Sequence, residues 1–349
     1  MPTCRPQFLI LPIFIHFFLA VCGVGQARTN NPAAHAVVDF GFCDQEHGWA
    51  VVWTKSGTTL FRSETSGKTW HQEKGVTGVR RAFFLNFTTG WAVTSEASGW
   101  YLYGTTDGGR NWAPLSKLIL PDPWSEDVVL DLRFLDDRTG WLLMQTGHGE
   151  GSLILKIVDA GKRIQLEQGI TEPRFMSSFV APNGSLWLVG IDNRIAKREA
   201  ASEWQFQKAA HYGPGANWFR GLMLNDRVGF IAGQGRVGTI LKTEDGGGTW
   251  HSVLEVKSMN SFFDISFFDS RSGCAVGTSQ SLYCTVDAGE HWSEMPTLPS
   301  ASDPGQATEF VRVLFLNRNH AYLIRDGGFI YESTDGGKTW KDDKLFFQR

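Results

Sequence analysis

The sequence predicts an all-β protein: a seven-bladed β-propeller built of four-stranded antiparallel blades. Three observations carry that expectation. A turn of the form Thr-x-Asp-Gly-Gly-x-Thr-Trp recurs seven times, intact or worn, with closing positions 70, 112, 164, 204, 250, 292 and 340 spaced by 42, 52, 40, 46, 42 and 48 residues. A second landmark of the form Gly-Trp-Ala-Val precedes each turn. Between them lie short β-branched and aromatic runs bounded by Gly, Asp or Asn, which are strand and hairpin signals. A period in the forties with strand-like sequence between turns describes blades that bury their faces only against one another.

The clearest turns run Thr105–Trp112, Thr243–Trp250 and Ser333–Trp340. The copy ending at Trp70 has Thr65 in place of the acid, and the copy ending at Trp292 reads Asp287-Ala288-Gly289. Two decayed copies, Asp159–Ile164 and Glu199–Trp204, keep only the frame. The second landmark reads Gly48-Trp49, Gly90-Trp91, Gly140-Trp141, Leu186-Trp187, Gly229-Phe230, Gly273-Cys274 and Ala321-Tyr322. Apolar stretches such as Arg81–Leu85 and Asp264–Phe268 stand upstream, each followed by an acid or amide that opens a turn. Every unit therefore reads as strand a, tight turn, strand b, loop, strand c, acidic turn, strand d. The blades fall at about 36–76, 77–118, 128–170, 174–210, 217–256, 260–298 and 309–346.

The repeated turn resembles the Asp-box, or BNR, repeat. Its carboxylate accepts hydrogen bonds from backbone N–H groups, and its glycines supply positive φ without a Cβ penalty. Asp107, Asp159, Asp245, Asp287 and Asp335 are accordingly read as structural. The closing Trp drives its apolar face between neighbouring sheets. Ten of the 14 Trp residues occupy repeat positions, which leaves Trp53, Trp100, Trp124 and Trp218 as candidates for something else.

Residues 1–27 read as a signal peptide, with Arg5, an apolar core Phe8–Val21 and a small-residue site at Gly25-Gln26-Ala27. An uncleaved N-terminal anchor is one alternative. A lipoprotein site is another, although Val21 precedes Cys22 where a small residue is usual. Residues 28–349 make one propeller domain, and no later stretch is apolar for long enough to span a membrane. Export implies a periplasmic or extracellular location. The formal net charge of −3 offers no basic excess for nucleic acid. Cys43, Cys274 and Cys284 lie beyond the signal. The last two fall on adjacent strands of blade six, where a cross-strand disulfide and facing thiols both remain open.

Hairpin order fixes two rims. The a–b turns and Asp-boxes share one, while the longer, irregular b–c and d–a loops share the other, and function is expected on that loop face. Strand a lines the channel. Nine residues before each strand-b landmark stand Asp39, Arg81, Asp131, Ser177, Arg220, Asp264 and Arg312. Two readings are open. The acids Asp39, Asp131 and Asp264 can neutralise the arginines in a closed ring. Alternatively Arg81, Arg220 and Arg312 hold an anionic group of a partner, since the guanidinium fork suits carboxylates. Arg194, Arg236 and Arg325 from b–c loops, with Trp124 and Trp218, complete the candidate surface.

Catalytic signals are weak. The nine His residues show no metal-ligand spacing, and neither metal nor cofactor is expected. Asp122, Glu126 and Asp127 flank Trp124, a carboxylate grouping that suits acid–base work on a sugar. A glycoside hydrolase or glycan-binding lectin is therefore the alternative to a binding module.

The unit Gly-Trp-Ala-Val … Thr-x-Asp-Gly-Gly-x-Thr-Trp, read at Gly90–Trp112 and Gly229–Trp250, is similar to the repeat of the photosystem II stability/assembly factor family. The resemblance covers residues from about 36 to 346. It implies a non-enzymatic factor that binds a protein partner, a membrane-protein subunit under maturation, with no cofactor and no oligomer. It also implies the thylakoid lumen if the source is photosynthetic. Sialidases share the box, but no Phe/Tyr-Arg-Ile-Pro segment stands in the first blades.

Overall fold

The structure is a computed structural model that describes residues 35–54, 57–120, 128–145, 151–167, 174–199, 202–296 and 309–342. Seven four-stranded antiparallel sheets follow one another, and each is made of four consecutive strands. Blade one comprises His35–Phe42, Gly48–Thr54, Gly57–Ser63 and His71–Gln72. Blade seven comprises Phe310–Phe315, Ala321–Arg325, Ile330–Ser333 and Lys341–Asp342. The a–b turns form because a side-chain oxygen replaces a ladder partner. Asp44 Oδ1 accepts the N–H groups of Glu46 and His47, both at 2.8 Å. Asn86, Asp136, Asn225, Asp269 and Asn317 do the same in their blades.

The Asp-box is a second side-chain-built turn. Thr105 Oγ1 accepts the Gly109 N–H at 2.9 Å and donates to Asp107 Oδ1, which in turn accepts the Asn111 N–H at 2.9 Å. The same bonds recur around Asp245, Asp287 and Asp335. Gly108 and Gly109 take φ of 75° and 90°, which explains the glycine pair. In the worn first box Thr65 substitutes a hydroxyl, accepting the Thr69 N–H at 2.9 Å. In the third, Asp159 Oδ2 accepts from Arg163 Nε at 2.7 Å. Every box but the fourth also bonds to the a–b turn of its own blade, as Gly108 N–H does to Thr88 O at 2.8 Å, so both lie on one rim.

The core is a set of seams between blades, wedged apart by the strand-b aromatics. Trp91 stacks on Phe134 of the next blade with centroids 3.6 Å apart, and Phe230 stacks on Phe267 at 4.7 Å. Trp187 meets the box tryptophan Trp250 edge-on at 5.8 Å. Tyr322 closes the ring by stacking on Phe42 of blade one at 5.7 Å. No strand is exchanged at that closure, because blade one and blade seven each pair their own four strands. Cys274 and Cys284 stand opposite each other and are joined by a disulfide, which settles the choice the sequence left open.

Candidate functional site: the channel ring

Every strand a carries a register shift at the same place, immediately before its ring residue. The shifts fall at 37/39, 79/81, 129/131, 175/177, 218/220, 262/264 and 310/312. A bulge inserts one unpaired residue and bends the strand. Asp39, Arg81, Asp131, Ser177, Arg220, Asp264 and Arg312 therefore occupy equivalent positions. Ser177 pairs with Val189 just as Arg220 pairs with Ala232. The inserted residues, Val38, Arg80, Leu130, Met176, Phe219, Phe263 and Val311, are apolar except for Arg80.

The ring is a continuous ion-pair chain over much of its circumference. Asp131 lies 2.9 Å from Arg133 and 3.3 Å from Arg220, and Arg220 lies 3.1 Å from Asp264. Arg312 lies 3.5 Å from Asp264 and 3.8 Å from Asp39. Each acid also accepts an amide N–H from the following blade. Ala82 donates to Asp39 at 3.1 Å, Ser178 to Asp131 at 3.2 Å and Val313 to Asp264 at 3.0 Å. These acids thus lock blades one to two, three to four and six to seven. Arg81 donates to the carbonyls of Val38, Arg80 and Leu130.

Charge follows from this geometry. Burial alone would raise the Asp131 carboxyl, but Arg133, Arg220 and the Ser178 N–H hold it below the usual range. Burial opposes the charge on Arg220, yet Asp264 and Asp131 raise its pKa above the ordinary value. Arg312 goes the other way, lowered to about 10 by burial and by the neighbouring Arg220. Among the described residues the ring gathers four guanidiniums (Arg81, Arg133, Arg220, Arg312) and three carboxylates (Asp39, Asp131, Asp264).

Arg133 escaped the sequence reading, although its spacing two residues beyond Asp131 places it on the same strand face. Trp218 needs correction. Its side chain is fully buried, donates from Nε1 to Asn193 Oδ1 at 3.0 Å and meets Tyr212 edge-on. It belongs to the core between blades and offers no surface to a partner. Asn193, also fully buried, accepts the Ala209 N–H and donates to the Ala209 and Tyr212 carbonyls. That polar anchor pins the loop before strand a of blade five.

Arg236 is exposed at a b–c turn, whereas Arg194 and Arg325 are half-buried, with Arg325 lying 4.4 Å over the Phe329 ring. Trp53 is exposed at the end of strand b, and Trp100 is half-buried against the seam between blades two and three. Trp124 and the carboxylates Asp122, Glu126 and Asp127 lie outside the described residues, as does the signal segment. Among the described residues, no group of three or more His, Cys, Asp and Glu side chains is placed to hold a metal ion. No helix there is long and apolar enough to cross a membrane.

Residues 252–345 match the family described as photosynthesis system II assembly factor YCF48. The chain is a seven-bladed β-propeller that is similar in part to photosystem II assembly factors. It is 32% identical over 117 residues to the chloroplast photosystem II stability/assembly factor HCF136 of Arabidopsis thaliana, a match covering 32% of this chain and 27% of that protein. It is 25% identical over 155 residues to the photosystem II assembly lipoprotein Ycf48 of Synechococcus sp. (strain CC9902), covering 44% of each. The match therefore spans less than half the length of these relatives.

Among solved structures, one described as YCF48 bound to D1 peptide superposes with a TM-score of 0.63 at 19% identity. That match covers 87% of this chain and 94% of the other. A GH74 xyloglucanase from Xanthomonas campestris superposes almost as well, with a TM-score of 0.62 at 12% identity over 88% of this chain and 53% of the enzyme. At such identities these likenesses establish the fold alone. The near-equal scores mean that shape does not separate assembly factor from hydrolase.

Proposed function

We propose that this propeller is an exported, non-enzymatic assembly factor that docks an extended segment of a membrane-protein subunit over the channel on its loop face. The observation that carries this reading is the gathering of Arg81, Arg133, Arg220 and Arg312 on the channel-lining strands, below a face that also carries Arg194, Arg236 and Arg325. Guanidiniums gathered in this way favour a carboxylate-bearing partner over a basic one. The loop arginines Arg194, Arg236 and Arg325, together with Trp124, are the proposed flanking contacts. In a photosynthetic source the partner would be a photosystem II subunit and the compartment the thylakoid lumen. The similarity to assembly factors supports that choice, as does the relative whose description includes a D1 peptide.

Retention of subunits from the source organism's solubilised membranes on the immobilised mature propeller tests this. The wild type is expected to retain a discrete membrane subunit, released by moderate salt. An Arg236→Glu variant, changed on an exposed turn of the loop face, should weaken that retention while melting within a few degrees of wild type. Retention unchanged in that variant would remove the loop-face arginines from the reading. Release of reducing sugar from a polysaccharide by the wild type would replace the binding reading with hydrolysis.

A further inference from the structure

We infer that Cys274 and Cys284 form a thiol–disulfide exchange site that sets the strength of the seam between blades six and seven. The inference rests on a position that can be followed around the ring and is independent of the proposed partner. In every blade the strand-b landmark residue faces one residue on strand c. The pairs are Trp49 with Arg62, Trp91 with Gly104, Trp141 with Lys156, Trp187 with Lys197, Phe230 with Lys242, Cys274 with Cys284, and Tyr322 with Glu332.

Elsewhere this pair joins blades. The aromatic wedges the seam, and its partner on strand c often reaches along or across it. Arg62 donates to the Phe87 and Gly108 carbonyls of blade two, and Lys242 Nζ reaches Glu290 of blade six at 2.5 Å. Lys197 Nζ lies 5.4 Å over Trp187. Blade six has neither wedge nor cation at this place. Its seam with blade seven is filled by Cys274 against Phe310, Val313, Phe315 and Leu323, with Cys284 partly buried at the margin. A covalent cross-link stands where the other blades use ring packing and charge. It is the one such pair whose strength depends on redox state.

Accessibility gives the chemistry a direction. Cys274 is 3% exposed, while Cys284 is half-buried beside the two-residue edge strand Ser293–Glu294. A thiolate from an external dithiol attacks Cys284 Sγ. The S–S electron pair leaves with Cys274 Sγ, which takes up a proton inside the seam. The second thiolate of the dithiol then attacks the mixed disulfide and releases Cys284 as a thiolate that is protonated in turn. The dithiol departs as its own disulfide, and two electrons and two protons have passed to the pair. The remaining described cysteine does not compete. Cys43 lies in blade one, and burial and then Asp44 push its thiol up to about 11, so little thiolate forms there.

Freed of the bond, the strand b–strand c hairpin of blade six would meet blade seven through small apolar side chains, while the Asp264 contacts to Val313 and Arg312 would still tie strand a. The test treats the folded mature protein with dithiothreitol and follows it by alkylation mass, thermal melting and hydrogen exchange. The expected results are alkylation of Cys284 before Cys274 and a melting temperature lowered by about 5 °C. Exchange should accelerate in residues 262–285 and 310–325 but not in blades two and three. A Cys274→Val/Cys284→Val variant should melt like the reduced wild type and ignore dithiothreitol. Two outcomes overturn the inference: a bond that resists dithiothreitol in the folded protein, or complete reduction that leaves melting and exchange unchanged. Should the double variant fail to fold, the reduced wild type still decides.

Discussion

Arg220 spans the channel, with its Nη1 reaching Asp131 two blades back at 3.3 Å while its Nε donates to Asp264 of the next blade at 3.1 Å. One guanidinium thus closes a gap that Ser177 of the intervening blade leaves in the charge sequence, and Arg220 also donates to Ser177 Oγ at 3.1 Å. Removing it would leave two largely buried carboxylates facing a shared space with one cation fewer. Breaking a buried ion pair by deleting one partner costs about 3–5 kcal/mol. Arg220→Met is therefore expected to lose about 3 kcal/mol in urea denaturation, and Arg220→Lys, which lacks the fork, should recover only part of it. Arg236→Ala, on an exposed turn, should stay within about 0.5 kcal/mol of wild type. A loss below about 1 kcal/mol for Arg220→Met would mean that the ring tolerates unpaired charge.

The Asp-boxes predict an acid limit to stability. Asp245 is lowered to about 2 by the Thr249 N–H and hydroxyl, and Asp335 to about 2 by the Thr339 hydroxyl and N–H. Asp287 is lowered further by the N–H and ring of His291. A carboxylate depressed in the folded state contributes stability that is present above its unfolded pKa, about 3.9, and is lost as pH falls through the folded value. Melting temperature should therefore drop between about pH 4 and pH 2. Asp245→Asn and Asp335→Asn together should flatten that limb and lower stability near neutrality. An acid limb unchanged in the double variant would show that these turns do not govern it.

The architecture was legible because the propeller repeats its turns, and side-chain chemistry at a turn is local. The positions of Asp107, Gly108 and Gly109 follow from the demands of one hairpin, so sequence spacing located them. The ring positions were legible for a related reason, since strand register is counted from the same landmark. Their roles were not. Whether Arg220 pairs with Asp264 alone or also reaches Asp131 depends on the channel width and on seven bulges, neither of which leaves a residue signature. Trp218 misled because a tryptophan outside the repeat frame looks spare. Asn193, 25 residues earlier, supplies the buried acceptor that lets it stay inside.

Two half-buried glutamates set the opposite limb. Glu309, just before strand a of blade seven, is pushed up to about 7 by burial and by Asp326, whose Oδ1 accepts the Glu309 N–H at 3.2 Å. Glu73 is raised to about 7, burial outweighing the attraction of Arg62. An acid raised above its unfolded pKa, about 4.3, contributes stability that is full below that value and is lost as pH rises through the folded one. Stability should accordingly peak between about pH 4 and pH 6 and decline toward pH 8. Glu309→Gln should raise the melting temperature at pH 8 while leaving it almost unchanged at pH 5. The slope that remains belongs to Glu73 and to Asp326, whose carboxyl burial also raises. A Glu309→Gln variant that loses stability equally at both pH values would show that the carboxyl is needed as a hydrogen-bonding group rather than disfavoured as a charge.

The ring closes without a shared strand, so the seam between blades seven and one depends on side chains that reach across it. Tyr322 does most: its ring stacks on Phe42, and its hydroxyl donates to Ser66 O in the first box at 2.8 Å. Gly67, next to that carbonyl, has φ of 86°, and a Cβ there would meet the Tyr322 hydroxyl. Two substitutions separate the contributions. Tyr322→Phe keeps the stacking and removes one hydrogen bond, at a cost of about 1 kcal/mol. Gly67→Ala adds backbone strain to the steric conflict and should cost about 2 kcal/mol or more. Because no backbone ladder crosses the seam, both should accelerate hydrogen exchange first in strands a of blade one and b of blade seven. Exchange rising first in a central blade, with these two strands still protected, would mean that the seam is not where the ring opens.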